Sequence, residues 1–246
     1  MTDSARGLFS AAQFHAAYPA GIERHWWIMA RTGIVDRLLR AADNRNEPVL
    51  EVGCGTGVAV AGLRALGHDC RGVELAAAEP PAALRTVVRA GCDALELPQA
   101  ERESTRCILL LDVLEHLDDP RAFLAGLATG FPGLRRVIVS VPARPELWSN
   151  YDEFFGHRLR YDLPALRALG SVQGWRVRSI GYGFRLSYLP AWLMARFGAA
   201  RAVKLHGPSG WRVTLHRIAA ALTLLEWQVL PGCIPGSSAF ACFELP

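Results

Sequence analysis

The chain has 246 residues, of which 51% are hydrophobic and 20% are charged. This length suits one large α/β domain whose core needs no disulfide or metal to fold, so we predict a single domain over residues 1–246. The formal charge of +4 comes almost entirely from arginines. Because these arginines are spread along the chain rather than clustered, they argue against a nucleic-acid partner.

The cysteines and the first residues bear on location. Six cysteines occur without a C-x-x-C pair, a spacing unlike that of a zinc ribbon or a disulfide framework. The first ten residues lack the basic and apolar regions of a secretory leader, and no apolar run is long enough to span a bilayer. We therefore expect reduced thiols in a cytoplasmic protein.

The predicted elements fall into three segments. Residues 1–45 contain a helical stretch over 21–41 and are expected to form an N-terminal lid. Residues 46–183 alternate strand-length with helix-length runs, such as Val58–Leu66 and Arg121–Ala128, which predicts βαβ units around a mostly parallel sheet. Residues 184–246 hold two further helices and a final strand. The predicted strands are Val49–Val52, Asp69–Val73, Cys107–Leu111, Val137–Val141, Trp175–Ile180 and Ala239–Phe243.

The two late helices, Leu186–Phe197 and Trp211–Val229, carry more apolar residues than the sheet requires. The simplest interpretation is that they pack on each other. A lid over an apolar substrate, a dimer interface and a membrane-surface contact are the alternatives. The final strand follows a turn rich in Pro and Gly, so it can enter the sheet antiparallel to the others.

A glycine-rich turn follows the first strand, with the sequence Glu51-Val52-Gly53-Cys54-Gly55-Thr56-Gly57. Glycines at such a turn let the backbone approach a ligand closely, and the N-terminus of the next helix favours a carboxylate. The G-x-G-x-G spacing differs from the G-x-G-x-x-G of nicotinamide-binding folds. With an acid two residues before the first glycine, it favours a ligand that has an ammonium and a carboxylate over one with a pyrophosphate.

Further polar groups follow the later strands at the same edge of the sheet. Glu74 ends the second strand, where a carboxylate can accept both hydroxyls of a ribose; the alternative is a solvated strand-end residue. Asp93, followed by Ala94, could accept a hydrogen bond from the exocyclic amine of adenine. The run Leu109–Leu117 ends a buried strand in an Asp-Val-Leu-Glu-His sequence. Four pieces in this order are more specific than any one of them.

With these pieces in order, the chain resembles the class I S-adenosylmethionine-dependent methyltransferases, which have a Rossmann-like seven-stranded sheet. The likeness extends to His25-Trp26-Trp27, to Val141-Pro142-Ala143 and to the segment from Leu147 to Tyr161. These parts are similar to a bacterial subgroup of unassigned substrate. The resemblance covers nearly the whole chain from about residue 18.

The resemblance implies S-adenosylmethionine as cofactor and an α/β fold with a mostly parallel seven-stranded sheet. It further implies helices on both faces, an antiparallel last strand, and extra N-terminal and late helices as a lid. The expected cofactor contacts are Glu51, Gly53, Gly55, Gly57, Glu74, Asp93, Ala94 and Asp112. Arg31 shares a helix face with Trp27, four residues earlier, and its contact with the methionyl carboxylate is a further hypothesis.

The acceptor side is predicted from the segments after the fourth and fifth strands of such a sheet, because methyl transfer needs positioning and exclusion of water. His116 is a candidate general base, or alternatively packs against the next helix. His157 is the second candidate, in a loop whose aromatic, acidic and basic groups exceed those of an ordinary connection. A solvated loop with salt bridges is the alternative. The expected pocket residues are Trp148, Asp152, Arg160 and Tyr161.

No metal site is predicted. Ligand atoms are available on Asp112, His116, Asp152 and His157, but only the first two have the i, i+4 spacing of a metal-binding helix. Asp118 and Asp119 are more simply the cap and the N-terminal charge of the following helix.

These observations predict a methyltransferase that acts on a small, bulky or apolar metabolite. A catalytically silent S-adenosylmethionine-binding partner subunit is the alternative from another class. An RNA or protein methyltransferase is less favoured, because the segment Asp112–Glu115 is not of the Asn/Asp-Pro-Pro-Tyr type. The glycine spacing disfavours a nicotinamide-dependent oxidoreductase. The sequence does not define the acceptor atom or the oligomeric state.

Overall fold

The computed structural model describes residues 9–42 and 46–246. Residues 1–8 and 43–45, which belong to the predicted N-terminal lid, lie outside the described residues. Seven strands are present in the described part of the chain: β1 (Val49–Val52), β2 (Cys70–Glu74), β3 (Val88–Ala90), β4 (Cys107–Leu111), β5 (Arg136–Pro142), β6 (Arg176–Gly183) and β7 (Ser238–Glu244). The α-helices there are α1 (Ala11–Ala17), α2 (Trp26–Ala41), α3 (Val58–Ala65), α4 (Gln99–Ser104), α5 (Pro120–Gly130), α6 (Asn150–Phe155), α7 (Leu163–Val172), α8 (Tyr188–Arg196) and α9 (Arg212–Val229).

The seven strands form one sheet in the order β3-β2-β1-β4-β5-β7-β6. Strand β7 is antiparallel to both of its neighbours, and the other strand pairs are parallel. The chain runs outward from β1 to β3 and then crosses to β4 on the other side of β1. A crevice therefore opens beyond the carboxyl ends of β1 and β4, where open α/β sheets bind ligands. The predicted mostly parallel, seven-stranded fold with an antiparallel last strand is confirmed.

The apolar runs in the sequence correctly predicted most of the strands. Strands β1 and β4 span the residues predicted for them, and the other predicted strands differ from the structure by one to three residues at their ends. Strand β3 was not located by the sequence. It is three residues long, pairs only with β2 at the edge of the sheet, and exposes Arg89 at its centre. Such a strand has no apolar run to reveal it.

Helices cover both faces of the sheet. Successive residues of β4 contribute alternately to two hydrophobic clusters, because side chains alternate along a strand. One cluster includes leucines of α5 and α7, and the other includes apolar residues of α2, α3 and α9. Both faces are thus apolar, as is typical of parallel strands covered on each side.

The two late helices do not pack mainly on each other, so that expectation was wrong. Helix α9 packs on α2, whereas α8 contacts the turn Pro145–Leu147. One reason that α9 packs on α2 is the close contact between Gly33 of α2 and Leu224 of α9. A Cβ added at Gly33 would meet the Leu224 side chain at 2.8 Å. The Arg37 guanidinium also donates to the carbonyl oxygen of Leu224, at 2.7 Å. No helix among the described residues is both long and apolar enough to cross a membrane.

Candidate active site

A cavity of about 670 Å³ lies at the carboxyl ends of β1, β2 and β4. This volume is in the range of small-molecule sites. The sheet edge contributes backbone and acidic groups to its wall. Aromatic side chains of the N-terminal segment and apolar residues of α8 form the opposite wall, including Phe9, Phe14, Tyr18, Trp26, Trp27, Pro190, Ala191 and Met194. The cavity therefore combines a polar side with an apolar side.

The glycine turn forms part of the polar wall. Gly53, Gly55 and Gly57 have φ angles of 77°, 57° and 84°, in the left-handed region that favours glycine. Gly57 is the N-cap of α3, and a Cβ there would meet Val88 at 2.7 Å. A Cβ on Gly55 would overlap the hydroxyl of Tyr18. A larger residue in the turn would therefore clash with its neighbours, and the bare backbone of Gly53 and Gly55 forms a cradle in the cavity wall.

Tyr18 is a cavity residue that sequence reasoning missed. It follows α1, and its hydroxyl lies directly against Gly55. Burial raises the pKa of its phenol, so the side chain is neutral at pH 7. No motif marks this tyrosine, because its place over the glycine turn depends on how the N-terminal segment folds back on the sheet.

Glu51 lies beneath the glycine turn and is 2% exposed. Its Oε2 atom has no hydrogen-bond partner among the described residues. Burial raises the pKa of this carboxyl to about 8, against the opposing effect of Arg31. A buried carboxyl with a free oxygen is suited to receive an ammonium group.

Arg31 and Asp112 face each other across the cavity wall. They form an ion pair, and the Arg31 guanidinium also stacks over the Trp27 ring at 4.4 Å from its centroid. Asp112 follows β4 with a φ of 58°, a conformation that non-glycine residues adopt chiefly where the surrounding structure imposes it. Within the described part of the chain, the Nε atom of Arg31 has no hydrogen-bond partner. Its contact with a methionyl carboxylate stays a prediction.

The other two predicted cofactor carboxylates are held by the backbone. Glu74 accepts hydrogen bonds from Gly55 N at 2.8 Å and from Ala76 N at 2.9 Å. Asp93 accepts one from Leu95 N at 2.8 Å and so caps the short turn that begins at Ala94. Glu74, Asp93 and Asp112 line the cavity. Each oxygen has a second lone pair, which leaves it able to accept a ligand hydroxyl or amine.

The two predicted catalytic histidines lie together in the cavity. The imidazole centroids of His116 and His157 are 4.9 Å apart, with the rings nearly perpendicular. Burial, with the neighbouring His157, lowers the pKa of His116 to about 4, so its ring is neutral at pH 7. His157 Nδ1 lies 2.8 Å from Asp152 Oδ1. This contact fixes the orientation of the second ring.

The predicted pocket residues are only partly in the cavity. Arg160 lines it, and behind it Asp152 receives two hydrogen bonds from the Arg160 guanidinium, at 2.8 and 3.0 Å. Burial opposes ionisation of Asp152, but the hydrogen bonds from His157 and Arg160 outweigh it and hold the pKa below its ordinary value. Tyr161 points into the core, where its hydroxyl donates to the Leu114 carbonyl at 3.2 Å. Trp148 is 37% exposed and, like Tyr161, does not line the cavity.

Glu115 is a second cavity residue that the sequence did not single out. It is 0% exposed, and neither carboxylate oxygen has a hydrogen-bond partner in the described structure. Burial raises its pKa well above the ordinary value. It lies beside His116 and His157, so one carboxylate and two imidazoles meet at this point of the wall.

Comparison with known proteins agrees with this fold. A family model described as a methyltransferase domain matches residues 26–198, and the chain belongs to that family. Its fold and family are those of the class I S-adenosylmethionine-dependent methyltransferases. No curated protein sequence gives a significant match.

Three solved structures illustrate the shared fold. The methyltransferase domain of bacterial-CtHen1-C is 16% identical, with 88% of this chain and 97% of that chain covered and a TM-score of 0.54. Magnesium protoporphyrin IX methyltransferase (ChlM) from Synechocystis PCC 6803, with bound SAH, is 14% identical, with 89% and 83% covered and a TM-score of 0.51. Geranyl diphosphate C-methyltransferase from Streptomyces coelicolor A3(2), in complex with Mg²⁺, geranyl diphosphate and S-adenosyl-L-homocysteine, is 16% identical, with 86% and 78% covered and a TM-score of 0.50.

The cofactor of this class is S-adenosylmethionine, and the cavity fits it in two respects. The glycine turn contributes the bare backbone of Gly53 and Gly55 to the cavity wall. Just before the turn, the buried Glu51 has an oxygen without a hydrogen-bond partner among the described residues, which suits the ammonium of the methionyl moiety.

Substitution of Gly55 tests the cradle. Gly55→Ala is expected to weaken the binding of S-adenosylhomocysteine tenfold or more, because the new Cβ occupies the space beneath Tyr18 at a left-handed φ. Calorimetric titration measures the change. Gly67→Ala is the matched control, since Gly67 has a φ of 93° but nothing within 4 Å of an added Cβ. Equal losses of affinity in the two variants would show that backbone strain alone, and not the cradle, is responsible.

Proposed function

We propose that this methyltransferase transfers its methyl group to a small, bulky or largely apolar metabolite bound in the cavity of about 670 Å³. The observation that supports this proposal is that one cavity is lined both by acidic groups at the sheet edge and by an aromatic wall. One side suits a charged cofactor, and the other suits an apolar acceptor.

The cofactor side has one candidate group for each part of the ligand. When bound, S-adenosylmethionine supplies an electrophilic methyl group on a sulfonium centre. Glu51 would receive the methionyl ammonium and Arg31 the carboxylate, Glu74 would accept the ribose hydroxyls, and Asp93 beside Ala94 would meet the adenine. Each of these residues lines the cavity or lies directly beneath the glycine turn.

On the acceptor side, His116 and His157 are the candidate catalytic residues. The acceptor lone pair forms the new bond to the methyl carbon, while the carbon–sulfur bond breaks with its electron pair remaining on sulfur. The proton of the acceptor leaves with the assistance of the two imidazoles. Asp152, itself bound by Arg160, orients the ring of His157. The aromatic wall excludes water from this step.

The lid in this proposal consists of segments that contact one another over the cavity. Gln13 Nε2 donates to the Phe154 carbonyl at 2.8 Å, and Leu205 N donates to the Ala16 carbonyl at 3.1 Å. Asn150 and Arg201 exchange two hydrogen bonds of 2.9 and 2.8 Å.

The proposal comprises one domain over residues 1–246, in which segments 1–45 and 184–246 flank a cofactor-binding core of residues 46–183. A cytoplasmic location is part of the proposal, supported by the unpaired state of the six cysteines, all of which lie in described residues.

The function is tested by calorimetry followed by a search for the acceptor. Binding of S-adenosylhomocysteine with a Kd of about 10 µM or tighter, without a response to NAD, is the expected result. Absence of that binding would refute the proposal. A screen of metabolites for labelled methyl transfer then separates the enzyme from the silent partner subunit, which would bind the cofactor but methylate nothing.

His157→Ala is expected to lower turnover at least 100-fold and to change the affinity for S-adenosylhomocysteine less than threefold, because His157 lines the cavity and is assigned to the acceptor in this proposal. Turnover is measured with the acceptor that the screen identifies. His15→Ala, on the exposed face of α1, is the control and should change neither quantity. A loss of cofactor affinity with normal turnover would move His157 out of the acceptor site.

A further inference from the structure

One carboxylate and two imidazoles meet in the cavity wall. Glu115 and His116 lie in the short turn after β4, and His157 follows α6. Each side chain offers one ligand atom, and the three atoms lie within 4.8 Å of one another. Donors bound to one tetrahedral ion lie roughly 3.4 Å apart, so small side-chain rotations bring these three into reach of a shared ion.

The state of Glu115 indicates a missing ligand. Its side chain is fully buried, yet neither oxygen accepts or donates a hydrogen bond among the described residues. Nearly all buried polar atoms in proteins have a partner. In either protonation state this carboxyl lacks one, and a bound cation beside the two histidines would satisfy it.

His157 has the support that a metal-binding histidine usually has. His157 Nδ1 lies 2.8 Å from Asp152 Oδ1, which leaves Nε2 for the ion. Asp152 is itself fixed by two hydrogen bonds from Arg160. A carboxylate on the second ring nitrogen is the usual support of a metal-binding histidine, since it fixes the tautomer and the ring orientation.

We propose that Glu115, His116 and His157 bind a divalent first-row transition-metal ion, with its open positions facing the cavity. Two imidazoles and one carboxylate suit such ions, and the exposed ion would coordinate a hydroxyl oxygen of the acceptor. In the metal-loaded protein the ion, rather than a free imidazole nitrogen, would promote loss of the hydroxyl proton. That proton would pass to solvent as the acceptor binds, before water is excluded and the oxygen lone pair attacks the methyl carbon. This ligand set replaces the sequence expectation of no metal; it includes Glu115 and excludes Asp152, which Arg160 occupies. The role of the ion rests on the proposed function, but its binding does not.

Titration of the chelator-treated protein with Co²⁺ tests the site through visible absorption and calorimetry. One Co²⁺ per chain with a Kd of about 10 µM or tighter is expected, displaced by Zn²⁺. Glu115→Gln, His116→Gln and His157→Gln should each weaken binding at least tenfold, and Asp152→Asn should weaken it by roughly 10–100-fold. His206→Gln, at an exposed histidine, is the control and should leave binding unchanged.

Folding of each variant is checked by circular dichroism, and S-adenosylhomocysteine binding is measured on the same samples. No stoichiometric Co²⁺ binding by the parent chain, or equal binding by all three ligand variants, would overturn the metal site. Normal binding of S-adenosylhomocysteine in that case would leave the proposed function intact. Metal binding without cofactor binding would support the site and refute the function.

A separate observation concerns the outer face of α9. Six apolar side chains recur there at intervals of four and three residues, so they share one face of the helix. Each is between 49% and 71% exposed: Trp211, Leu215, Ile218, Leu222, Leu225 and Val229. The opposite face is occupied by α2 and by the contact of Trp227 with Phe240, whose ring centroids are 5.3 Å apart. An exposed apolar stripe of this length marks an interaction surface.

The charge around this stripe indicates which kind of partner it fits. Residues 184–234 contain six arginines and lysines but one acid, Glu226. Glu226 is buried and accepts hydrogen bonds from the backbone N–H groups of Arg185 and Leu186. Arg212 and Arg217 of α9 are exposed. A second copy of the chain would bring like charges together, whereas an anionic surface would be attracted.

We infer that the outer face of α9 rests in the surface of an anionic lipid bilayer, with its apolar stripe at the level of the acyl chains and its arginines at the headgroups. This is the arrangement of interfacial amphipathic helices. It would bring the cavity close to acceptors that partition into membranes.

Cosedimentation with vesicles of three parts phosphatidylcholine to one part phosphatidylglycerol tests this inference. Binding is expected, with at least a tenfold loss on pure phosphatidylcholine or in the double variant Ile218→Glu/Leu222→Glu. Leu66→Glu/Val172→Glu, at 44% and 58% exposed positions outside α9, is the matched control and should bind like the parent chain. No binding to vesicles would refute the inference, as would a dimer in analytical ultracentrifugation that the α9 variant dissociates. Cofactor affinity in solution should be equal in all three proteins, which separates this test from that of the proposed function.

Discussion

Asp152→Ala is expected to lower the free energy of unfolding by about 3–5 kcal/mol. Asp152 is fully buried, and it accepts two hydrogen bonds from the guanidinium of Arg160, which is 5% exposed. Removing the carboxylate leaves the Arg160 charge buried, with the Ala143 carbonyl at 3.1 Å as its remaining acceptor among the described residues. Urea unfolding followed by circular dichroism gives the difference at pH 7.

The control is an ion pair of the same kind at the surface. Asp118 and Arg158 are paired at 3.0 Å, but their side chains are 70% and 44% exposed. Asp118→Ala should therefore cost about 0.5 kcal/mol or less. Because the folded-state pKa of Asp152 is lowered, its contribution is present at neutral pH and is lost as the pH falls below about 4. Similar losses in the two variants would contradict the buried role of Asp152.

The fold was predictable where a pattern is local. Strands β1 and β4 are continuous apolar runs that end in a glycine turn or an aspartate, and parallel strands buried on both faces require such runs. Strand β3 has no run of this kind and was missed. The packing of α9 on α2 depends on Gly33 and Leu224, which lie far apart in the chain. Single-residue complementarity at that distance leaves no pattern in the sequence.

The residues of the candidate site also include some that local sequence patterns predict and some that they do not. Glu74, Asp93 and Asp112 were predicted together because parallel strands bring their carboxyl ends to one edge, and the structure places all three in one cavity. Glu115 was part of a quoted motif, but its significance depends on burial without a partner, which only the three-dimensional structure shows. Tyr18 reaches the glycine turn through the fold of the lid. Trp148 lies in a loop rich in functional groups but does not line the cavity.

Glu51→Gln is expected to weaken S-adenosylhomocysteine binding about 100-fold at pH 8, because it removes one partner of a buried charge pair. The pH dependence of the parent chain follows from the same residue. Burial raises the pKa of Glu51 to about 8, opposed by Arg31 and reinforced by Glu74 and Asp112. Below that pH the carboxyl must lose a proton before it can pair with an ammonium, so affinity should rise about tenfold per pH unit between pH 6 and pH 7.5. Calorimetry in two buffers of different ionisation enthalpy should find about one proton released at pH 6.5.

The same raised pKa fixes the sign of the effect on stability. Between about pH 4.5 and pH 8 the folded chain binds more protons at Glu51 than the unfolded chain, so this residue lowers the stability of the free protein as the pH rises. Glu51→Gln should flatten the pH dependence of the stability. It should also abolish the proton release on S-adenosylhomocysteine binding and weaken that binding. Glu103→Gln, at an exposed position of α4, should leave the pH dependence of stability, the proton release and the affinity for S-adenosylhomocysteine unchanged. If the variant Glu51→Gln keeps the pH-dependent affinity of the parent chain, a different group receives the ammonium.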